Sequence, residues 1–126
     1  MLTALVTGTG RGIGEVHTLV NNAGVLYCEP YDAIPEAHKR EILAVNLEAP
    51  VALISALSTP MVDRKGGRIV NVGSVAAFTG HPDLWYGITK AGLLNLTKSW
   101  ATRLGTASPD YLNGTTIDCN NGSYPR

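Results

Sequence analysis

Leu2-Thr3-Ala4-Leu5-Val6-Thr7-Gly8-Thr9-Gly10-Arg11-Gly12-Ile13-Gly14, residues 2–14, is the stretch whose reading decides the fold. Leu2–Thr7 has the short, largely apolar character of a buried strand, and it runs straight into glycine at every second position. Glycines in that place let backbone N–H groups approach a pyrophosphate, and a following helix N-terminus adds favourable partial charge. A glycine-rich turn after one strand is a weak signal alone, so its meaning depends on the rest of the chain.

Working outward, β-type runs alternate with helical patterns. His17–Asn21 reads as a second strand entering Asn22-Ala23-Gly24, Arg68–Gly73 as a third, and Thr115–Cys119 as a fourth after the Asn113-Gly114 turn. Ile42, Val45, Ile54, Leu57 and Met61 recur at helical spacing and predict a helix over Glu36–Val62, closed by Gly66-Gly67. Tyr86, Lys90, Leu93, Leu94, Thr97, Ala101 and Leu104 form the stripe of a second long helix, Leu84–Leu104. Alternation of this kind predicts an α/β fold, a single Rossmann-like domain over 1–126 with one parallel sheet. Both long helices are expected on one face of that sheet, leaving the other thinly covered.

Composition excludes several function classes. Ten basic residues balance ten acidic ones, which gives no electrostatic case for nucleic acid or an anionic membrane. Cys28 and Cys119 have neither the density of a disulfide scaffold nor the spacing of a zinc site, and they fit a reducing compartment. His17, His38 and His81 sit on different segments without ligand spacing, so no metal site is expected. The N-terminal stretch lacks the pattern of a signal peptide, and no apolar run approaches the ~20 residues that span a bilayer. The expectation is a soluble, cytoplasmic protein.

Three features can carry chemistry. Tyr86-Gly87-Ile88-Thr89-Lys90 sets a phenol and an ammonium four residues apart, on one helix face, where the cation suits the phenol to general acid/base work. Ser74 follows the strand Arg68–Gly73 at the carboxyl edge of the sheet, where α/β proteins place their sites, and its hydroxyl can orient a carbonyl oxygen or cap a turn. Asn46 lies inside a helical segment, and Pro50 four residues on has no N–H for the Asn46 carbonyl. A kink is expected there, with that carbonyl free to bind water.

The order T-G-x-x-x-G-x-G at 7–14, N-N-A-G at 21–24, Asn46, Ser74 and Y-x-x-x-K at 86–90 resembles the short-chain dehydrogenase/reductase family, as do the spacings among the last four. That resemblance implies an NAD(P)-dependent oxidoreductase interconverting a small carbonyl and an alcohol by hydride transfer, with NAD or NADP as cofactor. It implies that Tyr86 is the proton donor and acceptor, and that Lys90 supports it and binds the nicotinamide ribose. Ser74 would hold the substrate oxygen, and Asn46 the water of a proton relay to Lys90. Gly8, Arg11, Gly12, Ile13 and Gly14 would line the pyrophosphate, and Asn22, Ala23 and Gly24 would flank the adenosine side. A homo-oligomer is implied as well, with Glu36–Val62 and Leu84–Leu104 packing against a second subunit.

The chain departs from the family pattern in two places. Only Gly8–Val16, nine residues, joins the first two strands, whereas a parallel crossover with its helix takes at least ~10–12. After Leu104-Gly105 the chain passes directly to Thr106-Ala107-Ser108-Pro109, where the family has a further strand and a substrate loop. Both departures read as internal truncation. The alternative is therefore a non-catalytic remnant that acts as an oligomerising partner.

Overall fold

A computed structural model describes residues 5–7, through their backbone, and residues 16–105. Three strands form one sheet in the order β1 (Leu5–Thr7), β2 (Thr18–Asn21), β3 (Arg68–Asn71). The expected fourth strand, Thr115–Cys119, and the first residues of the expected Leu2–Thr7 strand lie outside the described residues. The architecture is α/β, a small Rossmann-like sheet carrying helices on one face.

β2 and β3 are parallel, in the register Thr18↔Arg68 to Asn21↔Asn71. The chain between them is long enough to hold a complete helical crossover, which parallel pairing requires. β1 differs from the expectation of an all-parallel sheet: it runs antiparallel to β2, with Leu5↔Val20 and Thr7↔Thr18. The short Gly8–His17 connection explains the reversal, because antiparallel neighbours need no crossover helix between them.

The crossover begins at Pro35, whose carbonyl accepts from His38 and Lys39, and opens into α1 (Glu36–Leu43). Ala44–Glu48 then forms a π-helical turn, in which the Ala49 N–H reaches back to the Ala44 carbonyl, before α2 (Ala49–Asp63). The kink expected between Asn46 and Pro50 takes this form: a residue that cannot donate is absorbed by a locally wider turn. The continuous helix Glu36–Asp63 has 28 residues and contains an 18-residue stretch with a mean hydropathy of 1.6, so by length and composition it could cross a membrane. That exceeds what reading the apolar runs separately predicts. Here it serves as a core helix, with Ile54, Leu57 and Met61 turned onto the sheet.

α2 ends in a turn that places Lys65 at φ 54°, with the Gly66 N–H bonded to the Met61 carbonyl at 3.0 Å. Gly67 is required by close approach, since a Cβ there would stand 2.5 Å from Met61 Cγ. After β3, a single 3-10 turn (Val75–Ala77) leads to α3 (Leu84–Gly105).

Val16, Leu19, Ile54, Leu57 and Met61 make the buried core, with Leu53, Ile69, Leu96 and Trp100 packed around it. Leu19 and Ile54 are fully buried, and each such side chain stabilises the fold by about 1.5–3 kcal/mol. Leu19 and Ile69 face the helices, whereas Val70 and Val72 on the opposite face are 47% and 38% exposed. A polar ladder crosses the same layers: Asn21 donates to Asn71 Oδ1, Asn71 donates to Thr97, and Thr97 donates to the Leu93 carbonyl.

Candidate functional site

Parallel pairing carries the ends of β2 and β3 to one edge, so Asn22-Ala23-Gly24 and Ser74 leave the sheet side by side. The amino half of α3 packs across that edge: the Lys90 ammonium donates to the carbonyl of Val72, just past β3, at 2.9 Å. Asn46, Tyr86 and Lys90 are thereby brought to the crevice at the carboxyl ends of the strands, the place where open α/β sheets bind ligands, and Ser74 stands just past the end of β3.

Lys90 is only 4% exposed, and burial pushes its ammonium below the usual lysine range. Its Nζ lies 5.7 Å from the centre of the Tyr86 ring, the outcome of the four-residue helical spacing. The contact with Val72 uses one of three N–H donors, which leaves the ammonium capable of further hydrogen bonds. Gly24 passes close by. A Cβ at that position would fill the space beside Lys90 Nζ and Asn46 Oδ1, 3.6 Å from each.

Asn46 is 1% exposed and its amide is fully engaged. Oδ1 accepts from the Val25 N–H and Nδ2 donates to the Val25 carbonyl, both at 2.8 Å, with a longer bond to Thr89 Oγ1 at 3.3 Å. The side chain thus pairs with residue 25 as a neighbouring strand would, and fixes the segment that leaves Gly24. Ser74 caps the 3-10 turn by accepting from the Ala76 N–H at 3.2 Å. Capping uses a lone pair only, and the hydroxyl proton stays available to an incoming oxygen. The Tyr86 ring lies 5.0 Å from that of His81, tilted by 49°.

Two residues of this frame were not singled out from the sequence. Thr89, fully buried, donates to the Tyr86 carbonyl at 2.9 Å and accepts from Asn46, so it joins the π-helical turn to the tyrosine's own turn. Nothing but its place inside Y-x-x-x-K marks it. Asp83, 4% exposed, accepts from the Tyr86 N–H and from the Tyr27 N–H. Its signal was present, because an aspartate directly before a helical run is a favoured N-cap.

The expected pyrophosphate residues Gly8, Arg11, Gly12, Ile13 and Gly14 lie outside the described residues. Their point of departure is described, however. Thr7 pairs with Thr18, at the opposite end of β2 from Asn21. β1 therefore ends at the edge of the sheet opposite to the one that carries Asn22 and Ser74. Among the described residues, no group of three His, Cys, Asp or Glu side chains is arranged to hold a metal ion.

A parallel strand pair whose carboxyl edge carries a buried lysine, with a tyrosine one helical turn away, is a frame of the Rossmann type. The sequence profile of the family described as short chain dehydrogenase matches residues 2–108, and the chain belongs to that family. It is 38% identical over 92 residues to nodulation protein G of Rhizobium sp. (strain N33), a match covering 72% of this chain and 38% of that protein. The crystal structure of a gluconate 5-dehydrogenase from Burkholderia cenocepacia in complex with NADP and tartrate superposes with a TM-score of 0.71 at 29% identity, over 74% of this chain and 37% of that one. A 3-oxoacyl-acyl-carrier-protein reductase from Brucella melitensis with bound NAD gives 0.69 at 32% identity, over 73% and 38%. These two solved structures carry NADP and NAD, and the chain spans about two fifths of the length of the relatives it matches.

The residues present fit the nicotinamide end of such a cofactor. Lys90 keeps donors to spare, Gly24 brings its backbone past the ammonium without a side chain between them, and Tyr86 is held on the same helix face.

Proposed function

We propose that this chain is the catalytic portion of an NAD(P)-dependent oxidoreductase that interconverts a small carbonyl compound and its alcohol. The observation that carries the reading is the buried Lys90 ammonium, anchored on Val72, beside both Gly24 and the Tyr86 ring. The cofactor, when bound, supplies or accepts the hydride at the substrate carbon. Tyr86 gives its hydroxyl proton to the carbonyl oxygen in reduction and takes it from the alcohol in oxidation. Ser74 donates its remaining O–H to the same oxygen and fixes its direction. Lys90 offers its free N–H donors to the nicotinamide ribose and stabilises the phenolate left after transfer. The Asn46 carbonyl, which Pro50 cannot satisfy, holds the water that returns a proton toward Lys90. Asn22, Ala23 and Gly24 flank the adenosine side, and Gly8, Arg11, Gly12, Ile13 and Gly14 line the pyrophosphate.

We read the protein as one domain, soluble and cytoplasmic, working on a small molecule rather than nucleic acid or membrane. It self-associates through Glu36–Asp63 and α3, whose outward positions include the exposed Val51 and Ile88. The alternative of a non-catalytic oligomerising remnant finds no support in the relatives. The test is NAD(P)H oxidation with a panel of ketones, alongside fluorescence titration of NADH and NADPH. Saturable binding with turnover supports the reading, and neither at millimolar cofactor overturns it.

A further inference from the structure

An N-cap needs one oxygen. Asp83 precedes the first residue of α3, and its Oδ1 accepts from the Tyr86 N–H at 2.9 Å, which satisfies a donor of the helix's first turn. A serine, threonine or asparagine does this as well. What capping does not explain is the second oxygen: Oδ2 accepts from the backbone N–H of Tyr27 at 2.7 Å, across 56 positions of sequence. The carboxylate is buried, and its own N–H is held by His81 Nδ1 at 3.0 Å, so the whole fork is fixed. Tyr27 stands three residues after Gly24 and two after Val25, the residue clamped by Asn46. The segment flanking Lys90 is therefore held at two points, by Asn46 from the π-helical turn and by Asp83 from the end of the tyrosine's helix.

We propose that Asp83 is a positioning residue that locks the loop after Gly24 to the amino end of α3, setting the distance between the cofactor-flanking backbone and Tyr86. The proposal rests on the oxidoreductase reading for its catalytic consequence, and on geometry alone for the lock. Charge-assisted bonds to a buried carboxylate are short and strong, which suits a contact whose purpose is a fixed separation.

Asp83→Ser separates the two jobs, because a serine hydroxyl caps the helix but is too short to serve Tyr27 as well. Backbone amide hydrogen exchange in Asp83→Ser is expected to leave Tyr86 within about twofold of the parent while Tyr27 exchanges roughly 10- to 100-fold faster, the loss of one charge-assisted bond. Asp83→Asn, which keeps an acceptor for only one of the two amides, should fall between. In the same Asp83→Ser protein the cofactor KM should rise and kcat fall about tenfold, since an ångström of misplacement costs up to ~10²-fold. Unchanged Tyr27 exchange in both variants overturns the lock. Faster exchange with unchanged kcat and KM overturns its catalytic role and leaves Asp83 a structural tie. If the parent chain itself neither binds NAD(P)H nor turns over, the oxidoreductase reading fails, and the exchange result still decides the lock.

Discussion

The two sides of β2 were built under different constraints. On the β3 side, a 28-residue helix spans the connection, the strands run parallel, and hydrogen bonds tie Asn46 to Thr89 and Lys90 to Val72. On the β1 side the connection has no room for a helix, and the strand reverses. The same β2 thus pairs parallel along one edge and antiparallel along the other. The difference shows that sheet direction is set by the length of the connection more than by the motif it contains.

The largest expected effect tests the well-built side. Tyr86→Phe keeps the ring and removes the proton donor, so NAD(P)H-linked ketone reduction should drop by ~10²–10⁴-fold with helix content by circular dichroism unchanged. Turnover equal to the parent would mean that the activity has another source. The other side is tested by insertion. Replacing the Gly14–Val16 connection with a full-length crossover from a relative should let β1 turn parallel and bring the glycine-rich stretch to the crevice. Cofactor affinity and turnover should then improve by about 10²-fold or more, the scale on which misplacement is penalised. Equal rates in the short and lengthened chains would show that β1 direction does not matter to the site.

Stability should follow the same division. Leu19→Ala empties a fully buried position between β2 and α2 and is expected to cost about 2–5 kcal/mol in urea unfolding, read by Trp85 and Trp100 fluorescence. A cost under 1 kcal/mol would place the core elsewhere. Much of this half was legible in the sequence: the apolar spacing of Ile54, Leu57 and Met61 and the Y-x-x-x-K pair follow from helical geometry alone. What escaped was long-range. The reversal of β1 was implicit in the short connection, but the motif argued for parallel pairing and prevailed in the reading. Thr89 and the two-sided use of Asp83 depend on neighbours 43 and 56 positions away, which no local pattern encodes.

Lys90 offers a pH-dependent measure of the crevice. Burial lowers its folded pKa below the ordinary 10.5, so between the two values the unfolded chain binds more protons than the folded one. Stability must therefore rise with pH through that window: the cost of the buried charge is fully present below the folded pKa and is gone above the unfolded one. Lys90→Met should flatten this alkaline rise and raise stability at pH 7, while removing the ammonium that the proposed chemistry needs. An undiminished alkaline rise in the variant would assign it to another group.

The smallest effect concerns the turn that closes the crossover. Gly66-Gly67 reads from sequence as the break, yet the left-handed position is Lys65, one residue earlier, at φ 54°. Its N–H bonds to the Val62 carbonyl at 2.9 Å, and the next N–H closes on Met61, so the last carbonyls of α2 are satisfied as in a glycine-terminated helix. The position thus pays a side-chain penalty for a conformation that glycine adopts freely. Lys65→Gly should relieve that strain at some cost in unfolded-state entropy, a net gain of roughly 0.5–1 kcal/mol. Because Met61 belongs to the core and Arg68 follows directly into β3, the gain should appear in the main unfolding transition followed by Trp100. If the midpoint falls instead, the lysine side chain contributes more at this turn than its backbone costs. If it rises for Trp100 but not for amide protection in β1, the two sides of β2 unfold as separate units, and the division seen in the sheet extends to its cooperativity.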